Sequence, residues 1–207
     1  MSDYRCTSYC PPFEKISEGK AALLKEIRKT HPKAQNIYKI VSERESAAHR
    51  GFLRIFNYKC CYCGCSVSIL PAQLFEVDHL KPVKSEDKEE NINALSNLVL
   101  ACRICNGGKL AFWFKEMSNE WSPENGIMHL FFRDELFNIV VNSDHNANPN
   151  VMDLYCKLEL GAQFRRLDFL LMSLGGYLHT LPQGSKKRSV LLEVYHELYK
   201  KRNSVGI

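Results

Sequence analysis

Two Cys-x-x-Cys pairs, Cys60–Cys63 and Cys102–Cys105, stand 38 residues apart and constrain this chain more than any other feature. A Cys-x-x-Cys turn lets two thiolates face one ion. Two such turns make a closed four-sulfur set, the arrangement of a structural zinc site. Turn-forming glycines follow both pairs, Gly64 after the first and Gly107-Gly108 after the second. The alternatives are two unrelated reduced pairs or a thioredoxin-like redox motif. The redox motif fits poorly, because neither pair falls between a strand and a helix of a βαβ unit. Cys61 and Cys65 crowd the first turn and are alternative ligands. The matching spacing selects Cys60 and Cys63. Cys6 and Cys10, ahead of Pro11-Pro12, lack two further ligands for a second metal and read as free thiols. Cys156 reads as a core residue of a helix.

Composition sets the outer bounds. The chain has 207 residues, 45% of them hydrophobic, enough for a real core. Its net charge of +5 is unevenly spread: residues 1–57 carry +5, 58–182 carry −4 and 183–207 carry +4. Basic ends around an acidic middle suit a protein that grips a polyanion at its flanks and a cation at its centre. Solvated surface helices give the same pattern. No apolar run is long enough to span a membrane, and Met1-Ser2-Asp3-Tyr4-Arg5 opens without an apolar leader. Nine cysteines in such a chain point to a reducing cytoplasm and to metal ligation rather than disulfides.

The periodicity predicts a helix over 13–30, broken by His31-Pro32, and a longer one from about 34 to 57. Arg50 and Arg54 share a face of the second helix, where packing is the first reading and phosphate contact the second. Ser66–Leu70 and Gln73–Val77 read as two short strands around Pro71. Lys81–Asn93 reads as a polar loop, Ala94–Ala101 as an apolar run and Asn106–Met117 as helical. Ile127–Arg133 and Leu136–Val141 suggest a hairpin. Val151–Leu174 and Ser189–Arg202 read as helices, with Gly175-Gly176 and Pro182-Gln183-Gly184-Ser185 between them. Three segments follow: an N-terminal helical arm (1–57), a core (58–118), and a C-terminal hairpin with helices (119–207). Phe112-Trp113-Phe114 reads as core packing before a stacking platform for bases.

The polar residues enclosed by the cysteine pairs add a second pattern. Glu76-x-Asp78-His79-x-x-Pro82 lies between them, followed by Ser96-Asn97-Leu98. The second pair runs straight into Asn106-x-x-Lys109. Taken singly, these residues read as turns, caps and solvated charge. Taken together over roughly residues 58–115, their order and spacing resemble the HNH endonuclease superfamily.

That resemblance implies an α+β fold, mostly helical, with a central ββα-metal finger stapled by the four-cysteine zinc site. It implies a hydrolase that cuts phosphodiester bonds with a divalent cation. By motif position His79 is the general base, a role that suits imidazole. Asp78 and Asn106 hold the catalytic ion, and Asn97 orients His79 and braces the loop. Many family members have His where this chain has Asn106. An Asp/Asn oxygen pair favours Mg²⁺ or Mn²⁺. Lys109, Lys81, Arg50 and Arg54 are the expected nucleic-acid contacts, with DNA ahead of RNA as substrate. The layout is also similar to small stand-alone HNH proteins of bacterial restriction and anti-phage systems such as Septu-type, some of which work beside a separate ATPase. The competing expectation is a zinc-stabilised nucleic-acid-binding or adaptor protein that does not cut.

Overall fold

The computed structural model describes residues 3–83 and 91–204. Most of the polar loop expected at Lys81–Asn93 falls outside the described residues. At its centre, β1 (Phe75–His79) pairs antiparallel with β2 (Leu98–Cys102), and α4 (Arg103–Lys109) leaves directly from the end of β2. The register sets Asp78 opposite Val99 and His79 opposite Leu98. Every residue of β2 is buried, which is why its sequence is an unbroken apolar run ending in a cysteine. The result is a ββα unit in an α+β fold with small two-stranded sheets.

The first expected strand does not form. Ser66–Leu70 folds into turns, in which the Ser66 and Ser68 hydroxyls bond each other at 2.5 Å and Ile69 and Leu70 N–H donate to Ser66 O. Hydroxyls that bond locally compete with a ladder. The partner of β1 is instead the later apolar run, brought back across the loop. The long helix expected over 34–57 also divides. It becomes α2 (Ile37–Ser42) and α3 (Ala47–Ile55), each with its own side-chain cap: Asn36 accepts from Lys39 N–H and Ser46 from His49 N–H. The α4 helix is shorter than expected because Leu110, with φ of 49°, turns the chain away.

α1 (Ile16–Thr30) ends at His31, as the sequence indicates. The hairpin of β3 (Phe131–Arg133) and β4 (Ile139–Val141) also forms. Three helices follow: α5 (Pro149–Lys157), α6 (Gln163–Thr180) and α7 (Lys186–Asn203). Gly175-Gly176 lies inside α6 rather than ending it. The reason is packing: a Cβ on Gly176 would stand 2.2 Å from the Tyr9 Cβ, so the glycine makes room for the N-terminal segment. Cys156, expected in the core, is exposed on α5.

One hydrophobic cluster runs through all three sequence segments, from Tyr4, Phe52 and Phe56 through Leu98–Leu100 to Leu130, Leu154 and Leu171. The arm and the extension therefore brace the ββα unit from both sides. Residues 3–7 form a strap over its first cysteine turn. Tyr4 donates to Tyr62 O, and the buried Arg5 guanidinium donates to Cys61 O at 2.5 Å and Pro123 O at 2.6 Å. Among the described residues no helix is long and apolar enough to cross a membrane.

Gly64 is where strap and cysteine turn meet. Its φ is +77°, and a Cβ there would stand 2.3 Å from Arg5 O. Conformation and space both require glycine. Gly64→Ala is expected to destabilise the fold by at least about 1 kcal/mol, read as a lower midpoint in urea unfolding with the same slope.

Candidate active site and four-cysteine centre

The Sγ atoms of Cys60, Cys63, Cys102 and Cys105 all lie within 4.8 Å of one another, and all four residues are buried. Cys63 and Cys102 Sγ are 3.8 Å apart. A tetrahedral site with bonds of about 2.3 Å sets its sulfurs about 3.8 Å apart, so the cluster fits a metal such as zinc. Cys61 and Cys65 are buried but stand outside the set, as the spacing indicated.

A residue from the C-terminal extension completes this centre. Arg165, on α6 and 2% exposed, donates to Cys63 Sγ at 3.1 Å, to Cys105 Sγ at 3.2 Å and to Leu158 O at 2.8 Å. Burial opposes its charge, but the surrounding sulfurs outweigh that and hold the guanidinium firmly protonated. Four thiolates around one divalent cation would leave two negative charges, and the buried arginine offsets one of them. Nothing in the local sequence of α6 signals this role, because it depends on a contact more than sixty positions away in the chain.

The second group of residues lies where β1 meets α4. Glu76 and Asp78 are two apart on β1 and share a face; Asn106 and Lys109 are three apart on α4 and share a face. The two faces meet. Asn106 Nδ2 donates to Glu76 Oε2 at 2.6 Å, and Lys109 Nζ stands 3.2 Å from Asp78 Oδ2. The Tyr62 hydroxyl donates to the same Asp78 oxygen at 2.8 Å. Burial raises the pKa of Asp78, while the Lys109 charge and the Tyr62 hydrogen bond oppose the rise. Asn106 Oδ1 accepts no hydrogen bond among the described residues, so the amide keeps an open oxygen. Carboxylate and amide oxygens at one place suit a hard cation.

His79 follows Asp78 and so projects from the opposite side of the strand. Its ring packs against Tyr38 of α2 with centroids 4.4 Å apart. Nε2 lies 3.1 Å from Asn93 Oδ1. An amide oxygen only accepts, so this contact suits the tautomer with its proton on Nε2. The side chain that fixes His79 is therefore Asn93, not Asn97. Asn97 closes the loop behind His79: its Oδ1 accepts from Lys81 N–H at 2.9 Å, and its Nδ2 donates to Lys81 O at 3.0 Å and Ile92 O at 2.9 Å. Both Nδ2 hydrogens and one Oδ1 lone pair of Asn97 are thus spent on backbone groups, and no bond from Asn97 to the imidazole forms among the described residues. Asn93 and Tyr38 gave no sequence signal, since each lies outside the motif.

Tyr38 also lines a cleft of about 260 Å³ with Glu76, Asn106, Arg44 and His49, between α2–α3 and the ββα unit. The expected nucleic-acid contacts divide. Arg50 and Arg54 are exposed on α3. Lys109 and Lys81 are buried, at 1% and 6% exposure. Lys109 donates to His79 O at 3.0 Å besides its pair with Asp78, and the Lys81 ammonium lies over the Trp113 ring. Phe114 is buried and Phe112 and Trp113 pack partly against the core, so this aromatic triplet is a packing element.

Comparison with known proteins agrees with this arrangement. The HNH endonuclease family model matches residues 60–111, the span from the first cysteine turn through α4. No curated protein and no solved structure matches the chain. The matched quarter of the sequence contains all four clustered cysteines together with Asp78, His79, Asn97 and Asn106. The similarity of this chain to the HNH endonuclease family therefore lies in residues 60–111.

Proposed function

We propose that the protein is a metal-dependent endonuclease that hydrolyses phosphodiester bonds, with DNA as its substrate ahead of RNA. The observation that carries this reading is the meeting of the Glu76/Asp78 face of β1 with the Asn106 face of α4, beside a strand that ends in His79. Asp78 and the open Asn106 oxygen would hold Mg²⁺ or Mn²⁺. Glu76, by accepting from Asn106 Nδ2, turns that amide so its oxygen is the free group. A cation bound there supplies positive charge to the oxygens of the scissile phosphate. His79, with its Nε2 proton directed at Asn93, offers Nδ1 to take a proton from the attacking water. Asn97 keeps the loop after His79 closed, and Tyr38 limits the rotation of the ring. Arg50 and Arg54, exposed on α3, are cations available to backbone phosphates.

The four cysteines hold structural Zn²⁺ in this reading, with no open position for chemistry. The setting is the reducing cytoplasm of a bacterium, where such an enzyme would act against phage or foreign DNA beside a separate ATPase. The support for that setting is the sequence layout, a small HNH core between helical flanks.

One observation favours a non-cleaving, nucleic-acid-binding protein instead. Lys109 already neutralises Asp78, as an internal cation would. Activity decides between them. Wild type is expected to nick or linearise supercoiled plasmid with Mg²⁺ or Mn²⁺ and not with EDTA. His79→Ala should fold normally and lose about 100-fold or more of the rate. Equal cleavage by both proteins, or none by either on DNA and RNA substrates, would sink the nuclease reading.

A second expectation concerns the staple. Cys102→Ser should lose its metal and most of its soluble yield. Arg165→Leu should fold but release zinc to a chromogenic chelator faster than wild type, about tenfold or more, given the usual loss on removing groups that support metal ligands. Unchanged release would show that the arginine does not support the cluster.

A further inference from the structure

The buried ammonium of Lys59 has an unusual set of neighbours. The residue is 1% exposed, and no carboxylate pairs with it among the described residues. Its Nζ lies 3.4 Å from Cys6 Sγ and 3.7 Å from Cys10 Sγ, donates to Pro11 O, and stands 4.3 Å from the Phe13 ring centroid. A buried cation needs an anion nearby. Among the described residues in contact with Lys59, these two thiols are the groups that can supply one; the Asp3 carboxylate acts on it from farther away, without pairing.

Cys10 is better placed to ionise. Thr7 N–H donates to its Sγ at 3.0 Å, within a turn closed by Cys10 N–H to Thr7 O. Its pKa is lowered to about 5, chiefly by a hydrogen bond from the Cys6 thiol and against the effect of burial; Cys6 is raised correspondingly and keeps its proton. Both residues are half-buried, so neither is sealed from solvent. Cys10 also lines a cavity of about 340 Å³ with Tyr9, Pro11, Lys59, Ser66 and Met172, which gives a small reagent a route to its sulfur. Cys6 and Cys10 are not part of the four-sulfur cluster, and no other metal-ligating group forms around them among the described residues.

We propose that Cys6 and Cys10 form a hydroperoxide-sensitive oxidation site, with Cys10 as the attacking thiolate, Lys59 as its counter-cation and Cys6 as the resolving thiol. The Cys10 thiolate attacks one peroxide oxygen. The O–O bond breaks, Cys10 becomes a sulfenic acid, and the departing alkoxide takes a proton from solvent. Cys6 sulfur then attacks Cys10 sulfur. The S–O bond breaks, and the hydroxide leaves as water with the Cys6 proton. Overall, two electrons pass from the two sulfurs to the peroxide, which is reduced to an alcohol and water. Cys6 lies on the strap that Arg5 ties to the first cysteine turn, and Cys10 follows it, so the site is joined to the ββα unit without sharing the ligands of the four-sulfur cluster.

The test uses the zinc-loaded full chain, a limiting dose of hydrogen peroxide at neutral pH, and peptide mass spectrometry. Cys156, exposed and outside both clusters, is the internal reference. The expected product is a Cys6–Cys10 disulfide formed at least about tenfold faster than any oxidation of Cys156, with zinc retained. In Cys6→Ser, dimedone should trap a sulfenic acid on Cys10. Lys59→Met should slow the reaction of Cys10. Oxidation of Cys10 no faster than of Cys156, or first oxidation at the zinc cysteines with metal release, would overturn the proposal. The wild-type comparison decides even if Lys59→Met fails to fold.

Discussion

The four-sulfur cluster is the constraint on which the rest of the structure depends. It joins the turn at Cys60–Cys63 to the point where β2 becomes α4 at Cys102–Cys105. With those two points fixed, β1 and β2 must pair between them, and α4 must cross the face of β1 that carries Glu76 and Asp78. A two-stranded sheet is marginal alone in water. Here its buried strand β2 is held at one end by the sulfurs and covered by the helices of both flanks. Arg165 extends the same constraint outward, since the guanidinium that offsets the thiolate charge arrives on α6. The C-terminal extension is thus tied to the centre electrostatically as well as by apolar packing.

The second organising fact is the alternation of side chains along β1. Glu76 and Asp78 face α4 and its amide and ammonium groups; His79 faces Tyr38 and Asn93. On the function proposed above, charge stabilisation and proton transfer would fall to opposite sides of one strand end. Lys109 holds Asp78 in place with a buried positive charge, at the cost of competing for it with any incoming cation. The arm contributes Tyr38, Arg44 and His49 to the cleft, so it is both a packing partner and one wall of it.

Much of this was legible in the sequence because it is local and periodic. The cysteine spacing selected the four clustered sulfurs, and the apolar run of β2 and the hairpin of β3 and β4 followed from pattern. What was not legible depended on distant contacts or on competing local chemistry. Ser46 starts a new helix because its hydroxyl caps it, which hydrophobic periodicity across 34–57 does not register. Gly175-Gly176 resembles a stop signal but is a notch for Tyr9. Lys109 and Lys81 look like surface cations, yet one pairs with Asp78 and the other lies over Trp113. Asn93 took the contact with His79 expected of Asn97, since the loop placed it nearer.

On the function proposed above, one chain carries two separate metal centres, a closed sulfur site for structure and an oxygen site at Asp78 and Asn106 for chemistry. Metal content after dialysis against EDTA, followed by Mn²⁺ binding read by electron paramagnetic resonance, tests it most directly. The account predicts one zinc retained per chain and one added Mn²⁺ site, with Asn106→Ala losing the manganese while keeping the zinc. Manganese binding that survives Asn106→Ala and Asp78→Ala alike, or that disappears only when zinc is lost, would contradict it.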